Sequence, residues 1–294
     1  MIAKTARKTS NRVNAMVPWA IVPTAGKGKR LLPATAVIPK VLLPVGTRPM
    51  LHWAVEEAAA AGAQGLIVVV SPEQPQVRQY LELALRSAGK DSPLAPLAER
   101  LRGVELHFIE QQDAIGVGDA LFRCRSLTAG DPFAVLLPDN WFDAEVPAIA
   151  QVAETFRTTN LNAIGLVEVG ARQASLFANV GGVALEPLQG PAYRICSLQD
   201  KRGGAFHIEE KTSVLRGCAR YVLDSSFYDA LTSTGPPQQG EWDDVPAFQH
   251  LVTTTGLAGH LLKGRHFDVG QKAGYMAAAA YLAERASGTG ASRR

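Results

Sequence analysis

This chain of 294 residues contains only three cysteines. Cys124, Cys196 and Cys218 are odd in number and widely spaced, so they give neither a disulfide framework nor a metal-ligand pattern, and they suit a reducing compartment. No apolar run approaches the roughly 20 residues needed to cross a bilayer. The first sixteen residues are basic and polar and do not read as a secretory signal, so the expected location is the cytoplasm. The six histidines are scattered and form no ligand pair, which argues against zinc. No G-x-S-x-G nucleophile elbow occurs, and GxxxxGK[ST] is absent, so the glycine loop is not a P-loop. The net charge of +3 is also less than it looks. Lys4, Arg7, Lys8 and Arg12 at one end and Arg293 and Arg294 at the other exceed it, so the body of the chain is mildly acidic. Such a body is a poor nucleic-acid binder.

The chain has ample material for a core, with 47% hydrophobic and 19% charged residues. Short apolar runs at Pro18–Pro23, Gly65–Val70, Glu105–Glu110, Pro132–Leu137 and Ala163–Val169 read as strands. They alternate with helical patterns at Met50–Ala61, Gln74–Ser87, Gly118–Arg125 and Val146–Arg157. This alternation predicts an α/β fold with a doubly wound, mostly parallel, Rossmann-like sheet. After Gly170 the texture turns to short β-like pieces at Gly182–Leu185, Tyr193–Leu198, Phe206–Glu209 and Ala219–Leu223, followed by helices at Ser225–Leu231, Val245–Thr253 and Lys272–Arg285. The expected organisation is a flexible basic tail over 1–16, one domain over 17–285 with halves meeting at 170, and a flexible tail over 286–294.

Ligands of open α/β sheets bind at the carboxyl ends of the strands. The first such end carries Thr24-Ala25-Gly26-Lys27-Gly28-Lys29-Arg30. Its glycines let backbone N–H groups approach an anion, and Lys27, Lys29 and Arg30 supply charge. Lys40 follows on a proline-rich segment. By itself the loop reads equally as a basic surface turn, and it lacks the third glycine of the dinucleotide fingerprint, because Leu31 stands there.

The longer pattern is Ala25-Gly26-x-Gly28-x-Arg30-x-x-Pro33-x-Thr35-x-x-x-Pro39-Lys40-x-x-Leu43-Pro44-Val45. With Pro49 and Glu57-Ala58-x-x-Ala61-Gly62 it resembles the signature of the sugar-1-phosphate nucleotidylyltransferases, nearest to the bacterial UTP–glucose-1-phosphate uridylyltransferases. Three later segments agree: Gln111-x-x-x-x-Gly116-x-Gly118-x-Ala120, Leu136-Leu137-Pro138-Asp139-Asn140, and Phe267-Asp268-Val269-Gly270-x-Lys272-x-Gly274-Tyr275.

The resemblance implies an enzyme that moves a nucleotidyl group from a nucleoside triphosphate to a sugar 1-phosphate, with pyrophosphate leaving. It implies UTP and glucose 1-phosphate as substrates, a homo-oligomer, and Mg²⁺ as cofactor held by Asp139 and Asp268. Arg30, Lys40 and Lys211 would carry catalysis, with Lys211 on the sugar phosphate. Ala25, Gly26, Lys27, Gly28, Lys29, Gln111 and Gly116 would hold the nucleotide, with Gln111 on the base and Gly116 admitting base or ribose close to the backbone. Glu210 and Gly182 would touch the sugar in a smaller β-rich lid region, although a hairpin turn is an equal reading of Gly182. The chain departs from the family pattern at Lys29, where threonine is usual, at Thr212 after Glu210-Lys211, at Ala219, and over Gly240–Pro246, which keeps Gly-Glu and loses Thr-Asp. These changes cluster near the sugar. They keep open another sugar or cyclitol phosphate or another triphosphate, and, as a different class, an inert nucleotide-sugar-binding regulator.

Overall fold

A computed structural model describes residues 17–89, 91–177, 182–199 and 213–287. In chain order the elements are β1 (Trp19–Pro23), β2 (Pro44–Val45), β3 (Arg48–Pro49), α1 (Met50–Ala60), β4 (Gly65–Val70), α2 (Pro75–Leu85), α3 (Ala95–Arg100), β5 (Glu105–Glu110), α4 (Val117–Arg123), α5 (Arg125–Thr128), β6 (Phe133–Leu136) and β7 (Asn140–Asp143). There follow α6 (Ala148–Thr159), β8 (Ala163–Gly170), β9 (Val183–Pro187), β10 (Ala192–Leu198), β11 (Ser213–Leu223), α7 (Ser225–Thr234), α8 (Val245–Thr253), β12 (Ala258–Leu261), β13 (Arg265–Asp268) and α9 (Lys272–Ala286).

Nine strands form one twisted sheet in the order β5-β4-β1-β6-β11-β8-β12-β10-β9. β5, β4, β1 and β6 are parallel neighbours, as are β8 and β12. Only β10 and β11 run against the rest. The central strands are apolar without interruption because both faces are covered. Along β1 and β4 the side chains alternate between two cores. Ala20, Val22, Leu66 and Val68 meet Leu51 and Val55 of α1, Leu81 of α2 and Val152 of α6. Trp19, Ile21, Ile67 and Val69 meet Leu121 of α4, Phe227 of α7 and Phe248 of α8.

Two features depart from the sequence reading. The strand expected over Ala219–Leu223 starts at Ser213. Arg216 and Arg220 interrupt its apolar pattern, yet both are buried. Because β11 lies between β6 and β8, the two halves share one sheet. Finally, β7 and β13 pair as an antiparallel ribbon that four-residue segments did not announce. A third apolar cluster of Leu31, Leu43, Val45, Met50, Trp141, Phe267, Val269 and Ala278 binds this ribbon to α9 and to the segment after β1. The strand expected over Phe206–Glu209 and the tails over 1–16 and 288–294 lie outside the described residues.

Candidate active site

The loop after β1 is anchored at its root and open at its tip. Thr24 donates through N and Oγ1 to the Val69 carbonyl (2.9 and 2.6 Å). Gly28 has φ +64°, and a Cβ there would lie 2.8 Å from Lys40 Cβ, so glycine permits both the turn and the close approach of Lys40. Thr35 Oγ1 closes the contact by donating to the Gly28 carbonyl at 2.8 Å. Nothing stands within 4 Å of a Cβ built on Gly26. Ala25 is buried, while Lys27, Lys29 and Arg30 are exposed around this open backbone.

Lys40 follows Pro39 on a single 3-10 turn. Its Nζ donates to Asp139 Oδ2 at 2.7 Å, and the two side chains retain 20% and 17% exposure. Asn140 Nδ2 donates to the other oxygen, Oδ1, at 3.1 Å. Burial alone would push the Asp139 carboxyl up. The Lys40 ammonium, the Asn140 amide and the Arg30 guanidinium outweigh burial and hold it below the usual carboxylate range.

The β7–β13 ribbon sets Asp268 directly opposite Asn140. Two carboxylates 129 positions apart in sequence thereby reach one sheet edge. Asp268 is buried. Burial pulls the nearby Arg216 guanidinium down, and Asp268 partly restores it. Gly270 donates its N–H to the Asp139 carbonyl (3.3 Å), and a Cβ on Gly270 would stand 2.8 Å from Asp139 Oδ2. On the Gly270 side that oxygen is therefore kept clear of side chain. Two hard oxygen donors with a cleared flank fit Mg²⁺, which takes one or two carboxylates and fills its remaining positions with phosphate oxygens and water. Among the described residues no group of three or more His, Cys, Asp and Glu forms a ready-made cage.

A buried frame stands behind these groups. Arg220 Nε and Nη2 grip the Glu57 carboxylate at 2.9 and 2.8 Å. Its nitrogens also donate to the carbonyls of Leu137, Ala219 and Asn140. Glu57 Oε1 in addition accepts the Ile149 N–H at 2.9 Å. His266 Nε2 lies 2.9 Å from Asn140 Oδ1, its ring stacked on Phe142 and Phe177. Burial, then Arg216 and Arg220, hold this imidazole well below its ordinary pKa. It is therefore neutral and donates to Asn140.

On the other side of the Thr24 loop, Gln111 directly follows β5 and is buried. Its Nε2 donates to the Gly116 carbonyl and to Asp119 Oδ2. Gly116 has φ +130°, and a Cβ there would lie 2.3 Å from the Trp242 carbonyl oxygen. The close approach expected at this glycine is thus made by the Trp242 backbone, which also accepts from Gly118 N (2.8 Å) and donates to the Ile115 carbonyl. Gly182 bridges to Arg216, and a Cβ there would meet only Val214 and Gln199 at ordinary contact distance. Glu210 and Lys211 lie outside the described residues.

The structure pairs Lys40 with Asp139, with Arg30 acting on the same carboxylate, and places Asp268 across the ribbon from Asn140, the next residue. Sequence reasoning passed over Asp119, Arg220, His266 and Trp242 as site residues. Arg220 was signalled only by being a charge inside a strand pattern, and Trp242 sits in the stretch that departs from the family pattern.

An open α/β sheet with a cation-rimmed glycine loop at one strand end and paired carboxylates beside it is the architecture of an enzyme that works on phosphate esters. The nucleotidyl transferase family model matches residues 19–285, and the chain belongs to that family. It is 30% identical over 267 residues to UTP–glucose-1-phosphate uridylyltransferase 2 of Staphylococcus saprophyticus, covering 87% of this chain and 89% of that protein. It is 28% identical over 261 residues to UTP–glucose-1-phosphate uridylyltransferase YngB of Bacillus subtilis, covering 87% and 86%. The UTP-bound UGPase of Acinetobacter baumannii superposes with a TM-score of 0.71 at 25% identity, over 92% of this chain and 94% of that one.

Proposed function

We propose that the chain is a Mg²⁺-dependent uridylyltransferase that joins UTP and glucose 1-phosphate to give UDP-glucose and pyrophosphate. The observation that carries this reading is the Lys40–Asp139 pair beside the open Gly26–Arg30 loop, with Asp268 set by the ribbon opposite the neighbouring Asn140. The named relatives supply the choice of uridine and glucose.

In the reaction, an oxygen of the sugar phosphate attacks the α-phosphorus of UTP in line with the departing pyrophosphate. Both reactants are anions, so the chain has to offset their repulsion and align them. Positioning and electrostatics carry the rate, without a covalent protein intermediate. Lys27, Lys29, Arg30 and the backbone of Ala25–Gly28 receive the triphosphate. Lys40 leaves Asp139 to meet the α-phosphate, and Gln111 faces the base. Lys211 holds the sugar phosphate, while Glu210 and Gly182 meet the sugar. Asp139 and Asp268 would hold the magnesium ion, which when bound neutralises phosphate charge. The enzyme works in the cytoplasm as a homo-oligomer.

The differences at Lys29, Thr212 and Gly240–Pro246 favour a second reading, the same transfer to another sugar or cyclitol phosphate or from another triphosphate. Pyrophosphate release over a panel of triphosphates and sugar 1-phosphates separates the two. Turnover greatest with UTP and glucose 1-phosphate supports the first, and a preference for any other pair supports the second. Silence with every pair would reject both.

A further inference from the structure

Gln111 leaves β5 with its backbone N–H on the Val70 carbonyl (2.9 Å), beside the root of the Thr24 loop. Its side chain is buried, and the amide nitrogen is fully committed: Nε2 donates to the Gly116 carbonyl at 2.9 Å and to Asp119 Oδ2 at 2.8 Å. A carbonyl can only accept. Asp119 Oδ2 also accepts from Arg123 Nε at 2.7 Å, so toward Gln111 this carboxylate oxygen is an acceptor. The amide therefore has one orientation. Turned over, Gln111 would set Oε1 against two oxygens and bury an unpaired repulsion. What remains for a ligand is Oε1, to which no described residue donates, and it can only accept.

We infer that Asp119, braced by Arg123, fixes the polarity of the Gln111 amide and so makes the site select pyrimidine triphosphates that carry an N3–H. Uracil and thymine bring a donor to Oε1. Cytosine brings a bare ring nitrogen, and two acceptors would face each other in a dry site. Asp119 touches no substrate and acts as a positioning residue. The inference rests on the reading above that Gln111 faces the base.

The test measures kcat and KM for UTP, CTP and 3-methyl-UTP, with the sugar 1-phosphate that the wild type uses. Wild-type kcat/KM is expected to fall about a thousandfold for CTP and for 3-methyl-UTP, since a site built around one hydrogen bond rejects analogues that lack it. Asp119→Ala is expected to raise KM for UTP about tenfold with kcat nearly unchanged, and to shrink the UTP:CTP ratio about tenfold, as an anchoring bond is lost. Asp119→Asn keeps an acceptor for both Gln111 and Arg123 and is expected to restore both values. Should Asp119→Ala fail to fold, Arg123→Met at a half-exposed position is expected to shift KM and the ratio in the same direction by about threefold, the worth of a partly exposed pair.

A folded Asp119→Ala, or in its place Arg123→Met, with wild-type KM and wild-type discrimination overturns the inference while leaving the uridylyltransferase reading intact. A wild type that uses CTP as well as UTP overturns the inference alone. A wild type that ignores UTP for CTP or a purine triphosphate overturns both, and one that ignores UTP for dTTP overturns the uridylyltransferase reading alone.

Discussion

Two ion pairs flank the turn from Leu137 to Asn140, and they are built to opposite ends. Arg220 and Glu57 are sealed, with side-chain exposures of 2% and 12%. The guanidinium is forked onto the carboxylate, and its remaining donors are taken by three backbone carbonyls. Lys40 and Asp139 share a single contact with solvent at hand. An ammonium on a flexible stem can leave its partner, whereas a bidentate guanidinium in a closed pocket cannot. The comparison separates frame from working part. The sealed pair pins β11 to α1 and fixes the turn, and the open pair presents a carboxylate and a cation to whatever enters.

Substitutions that exchange these roles would break the comparison. The largest effect is expected from Asp139→Asn, which should lower turnover by about a thousandfold, the scale of removing a charge-stabilising group, while the melting midpoint stays near wild type. Turnover assays paired with thermal melts check both halves. Glu57→Ala should do the reverse: an unpaired buried Arg220 costs about 3–5 kcal/mol, a melting loss of about 10 °C for a chain of this size, with kcat kept at low temperature. A Glu57→Ala protein that melts normally would show that the pair is not the frame.

Gly116→Ala should cost about 1–3 kcal/mol from its backbone conformation alone, read as a lower urea midpoint, because the Trp242 backbone leaves no room for a methyl. The smallest effect concerns His52 under α2. Burial and then Arg48 lower its pKa, with Glu56 opposing, and Tyr80 bonds its Nδ1. A base whose folded pKa lies below its unfolded value of about 6.5 gives stability that is complete above that pH. That stability is lost as the pH falls through the folded value. His52→Gln should flatten the urea midpoint between pH 7.5 and 5 relative to wild type, and an unchanged slope would discount the group.

Much of this was legible in the residues. The continuous apolar runs at Pro18–Pro23 and Gly65–Val70 announced strands buried on both faces. What was hidden depends on contacts between distant segments. Arg216 and Arg220 disguise β11, since a buried charge is credible only once its partners are seen. The β7–β13 ribbon, which sets Asp268 opposite Asn140, is too short to carry a periodic signal. The Asp119–Gln111 bond reads in sequence as an ordinary helical acid. Gly116 was read as admitting base or ribose close to the backbone, and its described neighbour is the Trp242 backbone.

A magnesium titration of pyrophosphate release from UTP and glucose 1-phosphate, run on wild type and on Asp268→Asn, tests the central claim most directly. The account predicts that the wild type is silent without the divalent ion and saturates with it, and that the folded variant needs far more magnesium and stays slow at any concentration. Equal magnesium response in the two proteins, or full wild-type turnover in excess chelator, would contradict it.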